Sequence, residues 1–433
     1  MPKYMVYCVI ISCLGSFSND WVIGSANVPG ETIIFNNIGW IIGALLIDVS
    51  VNPAMFIIGR IFCGLSCGLG SLSTPTYVGE VSTIKARGTM GTCNQFAIVI
   101  GILLASVIGL PLANVPLWRI NYVIVAIPAI AQSFLMAGCV ESPRYLVSIN
   151  RIEEAKENLQ RLRPNSNIDK EFFGMVERQL GAAAAQVIVS DAVSIDDNKS
   201  DAKSFNNQLE DGVVTQDEGA CSSINMIQIF TDPLIRRIAF TVIALHITQQ
   251  LIGMNAVMYY STTIFNMAFD AEMSKYMAIV TTVVNFASTI LSLILIDHMG
   301  RRPLLMIAEV GACIFSVLLI IGYVYNIGAL LIVSVFGYVI SFAIGVGPIP
   351  WMMTSELTPV YASSAVGAIA TAVSWAMNFL IGQCFPLIFE GIKGYSFAIF
   401  AGIAAVAFVF TYLKVHETKG RSLEDIVKGF ERS

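Results

Sequence analysis

The residues best suited to chemistry are three carboxamides, Gln249, Gln250 and Asn255, set in an apolar run from Ile238 to Phe265. A carboxamide donates and accepts hydrogen bonds at once and carries no charge. Roughly 20 consecutive apolar residues suit a bilayer crossing, and lipid offers an amide no partner, so each must face protein or a watery cavity. At about 100° per helical residue, Gln250 and Asn255 point about 140° apart on a straight helix. One ligand meets both only if the helix bends, and Gly253 between them is where a break is expected. No nucleophile, metal or phosphate-loop constellation accompanies the amides. Gly345 and Gly347 run into Pro348 and read as helix packing, not as a dinucleotide loop. The chemistry expected is binding, not catalysis, with no cofactor and no metal.

The elements that must position these amides are apolar and numerous. A chain of 433 residues that is 55% hydrophobic and 13% charged is too apolar for a soluble domain of its size, so it reads as a polytopic membrane protein. Its net charge of −5 argues against nucleic acid. Segments long enough to span run from Tyr4 to Val28, Ile33 to Val49, Pro53 to Tyr77, Met90 to Leu110 and Leu117 to Cys139. After a polar region come Ile238 to Met267, Tyr276 to Ile296, Leu304 to Tyr325, Leu330 to Met353, Ala362 to Ile388 and Tyr395 to Leu413. Within the polar region, Ile152, Ala155, Leu159 and Leu162 recur at helical spacing and predict an amphipathic helix ended by Pro164, with a second around Phe172 to Leu180. Gln186 to Ser223, rich in Ser, Asn, Asp and Glu, reads as a disordered linker. Basic residues at span ends, among them Arg60, Arg144, Arg236, Arg301 and Lys414, place the central linker and the C-terminus in the cytoplasm. Cys63 and Cys67 share a helix face beside Gly64 and Gly68, which reads as small-residue packing and not as a disulfide framework.

The two groups of spans echo each other, as duplicated transporter halves do. Glu141-Ser142-Pro143-Arg144 closes the first much as Glu417-Thr418-Lys419-Gly420 closes the second. Further motifs are Glu80 with Arg87-Gly88, Gln249-Gln250-x-x-Gly253-x-Asn255, Asp297-x-x-Gly300-Arg301-Arg302 and Gly347-Pro348-Ile349-Pro350-Trp351. Together they resemble the sugar porter (glucose transporter-like) family of the major facilitator superfamily. The resemblance implies an all-α membrane fold of two helical bundles, with alternating access to a sugar site between them. It also implies a gap: the family has twelve spans, whereas Val28 to Glu31 runs straight into what looks like the third helix. About eleven spans are expected, the second being absent, and five N-terminal spans put the N-terminus outside. The domains are then an N-terminal bundle over 1–140, a cytoplasmic linker over 141–233, a C-terminal six-helix bundle over 234–414 and a cytoplasmic tail over 415–433.

A hexose is neutral, dense in hydroxyls and apolar on its C–H faces, so amides and an aromatic surface suit it. By resemblance, the sugar-binding amides are Gln95, Gln249, Gln250, Asn255, Asn285 and Asn378, with Phe342, Trp351 and Trp375 as aromatic neighbours. A lone intramembrane amide is as readily explained by an interhelical hydrogen bond; six at the family's positions favour the site. Glu80, Arg87, Glu141, Arg144, Arg301, Arg302 and Glu356 correspond to residues whose salt bridges between bundles gate the cytoplasmic side. Val22 stands where proton-coupled relatives carry Asp, with Asp20 offset from that position, so facilitated diffusion of a hexose such as glucose is expected. A proton symporter, a non-transporting sugar sensor and an inactive truncated isoform are the alternatives. The partners implied are a small-molecule sugar and the lipid bilayer, in the plasma membrane or a vacuolar one. The sequence leaves open which sugar is carried and the oligomeric state.

Overall fold

The computed structural model describes residues 30–83, 87–112, 117–164, 168–180, 228–266 and 269–419. The expected first span, with Asp20 and Val22, and the expected linker from Gln186 to Ser223 lie outside the described residues, as does most of the tail. For Arg87 and Asp297 the backbone alone is described.

Every regular element among the described residues is helical. A first group comprises α1 (Gly30–Asp48), α2 (Pro53–Val81), α3 (Arg87–Gly109) and α4 (Trp118–Met136). Three short polar helices follow: α5 (Pro143–Ser148), α6 (Ile152–Leu162) and α7 (Asp169–Leu180). A second group opens with α8 (Gln228–Thr231), α9 (Pro233–Leu251), α10 (Met254–Tyr259) and α11 (Ser261–Phe265). It continues through α12 (Ala271–Met299), α13 (Arg301–Val324), α14 (Gly328–Ser341), a wide turn over Phe342–Val346, α15 (Ile349–Leu357), α16 (Val360–Ile392) and α17 (Phe397–Lys414). Each expected apolar segment from Ile33 onward lies on one or more of these helices. Seven stretches of the described residues, the last of them Ala365–Lys414 across α16 and α17, are long and apolar enough to cross a membrane.

The second group surrounds one continuous apolar core running from Ile229 and Ile238 through Leu304, Val335 and Ile349 to Phe400. In the first group α1 packs on α2 and α4. The approach is close enough that a Cβ on Gly43 would lie 2.6 Å from Cys63 Sγ, which is the small-residue packing expected around Cys63.

The polar helices form a small body of their own. Ala155, Leu159 and Leu162, at the predicted helical spacing, are buried on α6, and Ala155 and Leu159 pack with Leu146, Val147 and Phe172. Arg163, buried just past α6, makes two 2.9 Å bonds to the Glu171 carboxylate and donates a third to the Val81 carbonyl at 3.4 Å. That fixes the body to the end of α2, where Tyr77 also donates to the Val140 carbonyl at 2.6 Å.

Candidate functional site

The apolar run bearing the three amides is broken where the sequence predicts. Gly253 adopts φ +95, a left-handed conformation that separates α9 from α10. A Cβ on this glycine would lie 2.5 Å from the Phe400 ring, so the turn is also sterically reserved for glycine. The break brings together what a straight helix would hold apart: Asn255 Nδ2 donates to Gln250 Oε1 at 2.8 Å, and Gln250 Nε2 donates to Ser374 Oγ at 2.9 Å. Three polar side chains from α9, α10 and α16 thereby form one chain.

Gln249 does something different. Its Nε2 donates to the Val346 carbonyl at 3.1 Å and the Gly347 carbonyl at 2.6 Å, and its Oε1 is buried without a partner among the described residues. Proline chemistry explains this. Pro348 and Pro350 have no N–H, so the carbonyls four residues back, Ile344 and Val346, lose their helical donors. Ser292 Oγ, on α12, supplies one at 2.7 Å from the Ile344 carbonyl, and Gln249 supplies the other. Gln249 is thus a brace whose donor side is already committed, leaving only its oxygen for a ligand.

The other expected residues lie on the neighbouring elements. Asn378, one turn beyond Ser374 and Trp375 on α16, is buried with Oδ1 lacking a partner among the described residues. Phe342 lies in the wide turn, its ring close over Gly347. Trp351 meets the His246 ring edge-to-face at 4.7 Å. Asn285, buried on α12, and Gln95, half-buried on α3, sit where the two groups of helices touch. The residues following them, Phe286 and Phe96, stack across that seam at 5.6 Å.

Sequence reasoning missed His246, Thr354, Ser374, Ser292 and Tyr338. Thr354 donates its one hydroxyl proton to the Pro350 carbonyl at 2.9 Å, so its oxygen must accept from His246 Nε2–H at 3.0 Å. Tyr338 donates to the Ile252 carbonyl at 2.5 Å. For Ser292 the available signal is the pair of prolines, whose stranded carbonyls demand donors from elsewhere.

The charged motifs occupy helix ends. Arg301 pairs with Glu356 at 3.0 Å, and Thr418 donates to the other Glu356 oxygen at 2.5 Å. All three belong to the second group or its tail, so this pair ties one group internally and does not bridge between groups as the sequence suggested. Arg302 donates to the Tyr412 carbonyl at 2.6 Å. Ser142 donates to the Glu80 carboxylate, and Glu141 accepts from the Ser142 N–H at 3.1 Å. Arg144 is half-buried beside them at the start of α5.

Glu417 caps α13 from outside the helix. Its carboxylate accepts from the backbone N–H groups of Arg301, Arg302, Thr418 and Lys419, each at 3.0 Å. Burial pushes the carboxyl up, but the four donors outweigh burial and hold it below the usual carboxylate range. A folded carboxyl that resists protonation more than the unfolded one stabilises fully above the ordinary carboxylate range, and that contribution is lost as pH falls through the folded value. Amide exchange at Arg301 and Arg302 is therefore expected to accelerate on acidification beyond its intrinsic pH dependence, and Glu417→Gln to show the faster exchange already at neutral pH. Equal protection in the variant and the parent at neutral pH would rule out the cap.

A family model described as sugar (and other) transporter matches residues 8–430. The facilitated glucose transporter member 2 of solute carrier family 2 from Gallus gallus is 34% identical over 430 residues, covering 97% of this chain and 74% of the relative. Member 3 from Oryctolagus cuniculus is 34% identical over 439 residues, covering 98% and 81%. Among solved structures, the proton:xylose symporter XylE bound to 6-bromo-6-deoxy-D-glucose superposes with a TM-score of 0.69 at 24% identity, over 99% of this chain and 87% of that one. The partially occluded inward open conformation of the xylose transporter XylE from E. coli gives a TM-score of 0.64 at 22% identity, over 97% and 100%. At such identities the structures bear on the fold alone.

Proposed function

We infer, from the premise that this chain belongs to the sugar (and other) transporter family, that it carries a monosaccharide such as glucose across a membrane by facilitated diffusion. It is a multi-pass membrane protein, and its task is transport, not catalysis. Facilitated diffusion is the reading supported by the glucose transporter relatives, which are 34% identical to this chain over the aligned residues. The likeness to a proton symporter extends to the fold and carries no coupling with it.

The observation that carries the site is the amide chain Asn255–Gln250–Ser374 folded across the Gly253 break. In this reading Gln250 and Asn255 hold the sugar from the second group, with Asn285 and Asn378 beside them. Gln95 faces them from the first group across the Phe96–Phe286 seam. Phe342, Trp351 and Trp375 offer apolar surface to the C–H faces of the ring. Rocking of one group against the other about this site exposes it to each side in turn. Arg301, Arg302 and Glu356 on the second group, and Glu80, Arg87, Glu141 and Arg144 on or just past the first, brace the cytoplasmic end. The reading includes the domain limits drawn from the sequence, the loss of the family's second helix between Val28 and Glu31, and a place in the plasma membrane.

The test is uptake of labelled glucose by the purified chain in proteoliposomes. Saturable uptake that equilibrates without concentrating the sugar, and without a pH change in a lightly buffered medium, is expected. Uptake accompanied by proton movement would replace facilitated diffusion with symport, and absence of uptake by folded protein would sink the transport reading.

A further inference from the structure

Three positions on α9 and its C-cap are tied to the broken helix opposite. His246 donates to Thr354, Gln249 to the Val346 and Gly347 carbonyls, and the Ile252 carbonyl accepts from Tyr338. The ties recur every three residues on α9, which places them along one face. On the opposite helix they descend from 354 through 347 and 346 to 338, as an antiparallel neighbour requires. One group stranded by the irregular backbone of each helix is answered by a side chain of the other. Pro350 deprives the Val346 carbonyl of its donor, and Gln249 replaces it. The turn at Gly253 strands the Ile252 carbonyl, and Tyr338 replaces the N–H that a continuous helix would have offered. Ile252 and Tyr338 are both buried, so no water is at hand to substitute.

We propose that Tyr338 is a positioning residue for the sugar site: its hydroxyl fixes the Gly253 turn through the Ile252 carbonyl, and that turn sets Asn255 against Gln250. The proposal rests on the reading of Gln250 and Asn255 as sugar ligands. It makes α9 and the α14–α15 helix one latched body that moves together when access alternates. Tyr338 touches no ligand itself. Its ring packs in the core whether or not the hydroxyl is present, so Tyr338→Phe isolates the single bond.

The experiment measures initial rates of labelled glucose uptake against concentration in proteoliposomes of the full chain. Tyr338→Phe is expected to raise KM about tenfold, the size of effect a stranded buried acceptor produces, with little change in maximal rate per folded molecule. Ser334→Ala is the control. Ser334 is buried on the same helix with its hydroxyl bonded to the Leu330 carbonyl at 2.6 Å, and its loss should leave KM unchanged. Because Tyr338 acts through Asn255, adding Tyr338→Phe to Asn255→Ala should raise KM no further. A parental KM in Tyr338→Phe, or additive losses in the double variant, would overturn the latch while leaving the sugar site intact. Absence of saturable uptake by the parent chain would instead overturn the sugar reading beneath it. Amide exchange on the parent chain tests the latch without any variant: the Gly253 and Val257 amides, bonded to the Gln250 and Gly253 carbonyls at 3.1 Å each, should be protected like those of α9, and rapid exchange there overturns the proposal.

Discussion

Gly253→Ala should disable the protein. Two independent costs meet at this position. A left-handed conformation costs a residue bearing Cβ about 1–2 kcal/mol, and Gly253 sits at φ +95. The new methyl would also lie 2.5 Å from the Phe400 ring, itself stacked on Phe385 at 5.5 Å and unable to retreat without disturbing that cluster. Overpacking of this kind costs about 1–3 kcal/mol more. The variant is expected to lose heat resistance in detergent, followed by size exclusion, and to lose glucose uptake. Phe400→Leu added to Gly253→Ala should restore part of the heat resistance by opening space, but not uptake, because the left-handed strain remains. A Gly253→Ala variant as heat-resistant as the parent would mean that the turn is not built as described.

That turn is legible in the chain itself, and the reason is geometric. Two amides five residues apart cannot share a ligand on a straight helix, and a glycine between them is the cheapest place to bend. The amphipathic helix α6 is equally legible, since Ile152, Ala155, Leu159 and Leu162 carry their period in plain view. The role of Gln249 is not. Its type fits a sugar ligand, but whether its donors are free depends on two carbonyls roughly a hundred positions away along the chain. Pro348 and Pro350 announce that such carbonyls lack donors; nothing local announces that Gln249 answers them. Arg301 and Glu356 show the same limit. Their charges predict an ion pair, yet whether it joins one group or bridges two depends on how α13 and α15 pack, which periodicity does not contain. Tyr338 is invisible for a plainer reason: in an apolar run a tyrosine reads as one more large side chain until the carbonyl opposite its hydroxyl is known.

Gln250→Ala separates a sugar site from an internal brace. In the folded chain Gln250 Oε1 serves Asn255 and Gln250 Nε2 serves Ser374, so removing the amide leaves two partners without their bond at once. Each stranded buried group costs about 1–3 kcal/mol, although polar bonds between membrane helices average nearer 0.6 kcal/mol when cut singly. If Gln250 were only a brace, its loss would reduce the yield of folded protein while molecules that did fold kept their KM. If it holds the sugar, folded molecules should survive with KM raised about 10- to 100-fold, the range that one to two lost hydrogen bonds to a ligand produces. Ser374→Ala refines the distinction, because it cuts one end of the chain and leaves Asn255 paired. It should raise KM less than Gln250→Ala does, and Asn255→Ala should approach Gln250→Ala because it removes an amide on the far side of the break. A KM unchanged by Gln250→Ala in folded protein would sink the site. An equal loss from Ser374→Ala would instead place the ligand against α16, since only there is Ser374 nearer to it than the amide pair.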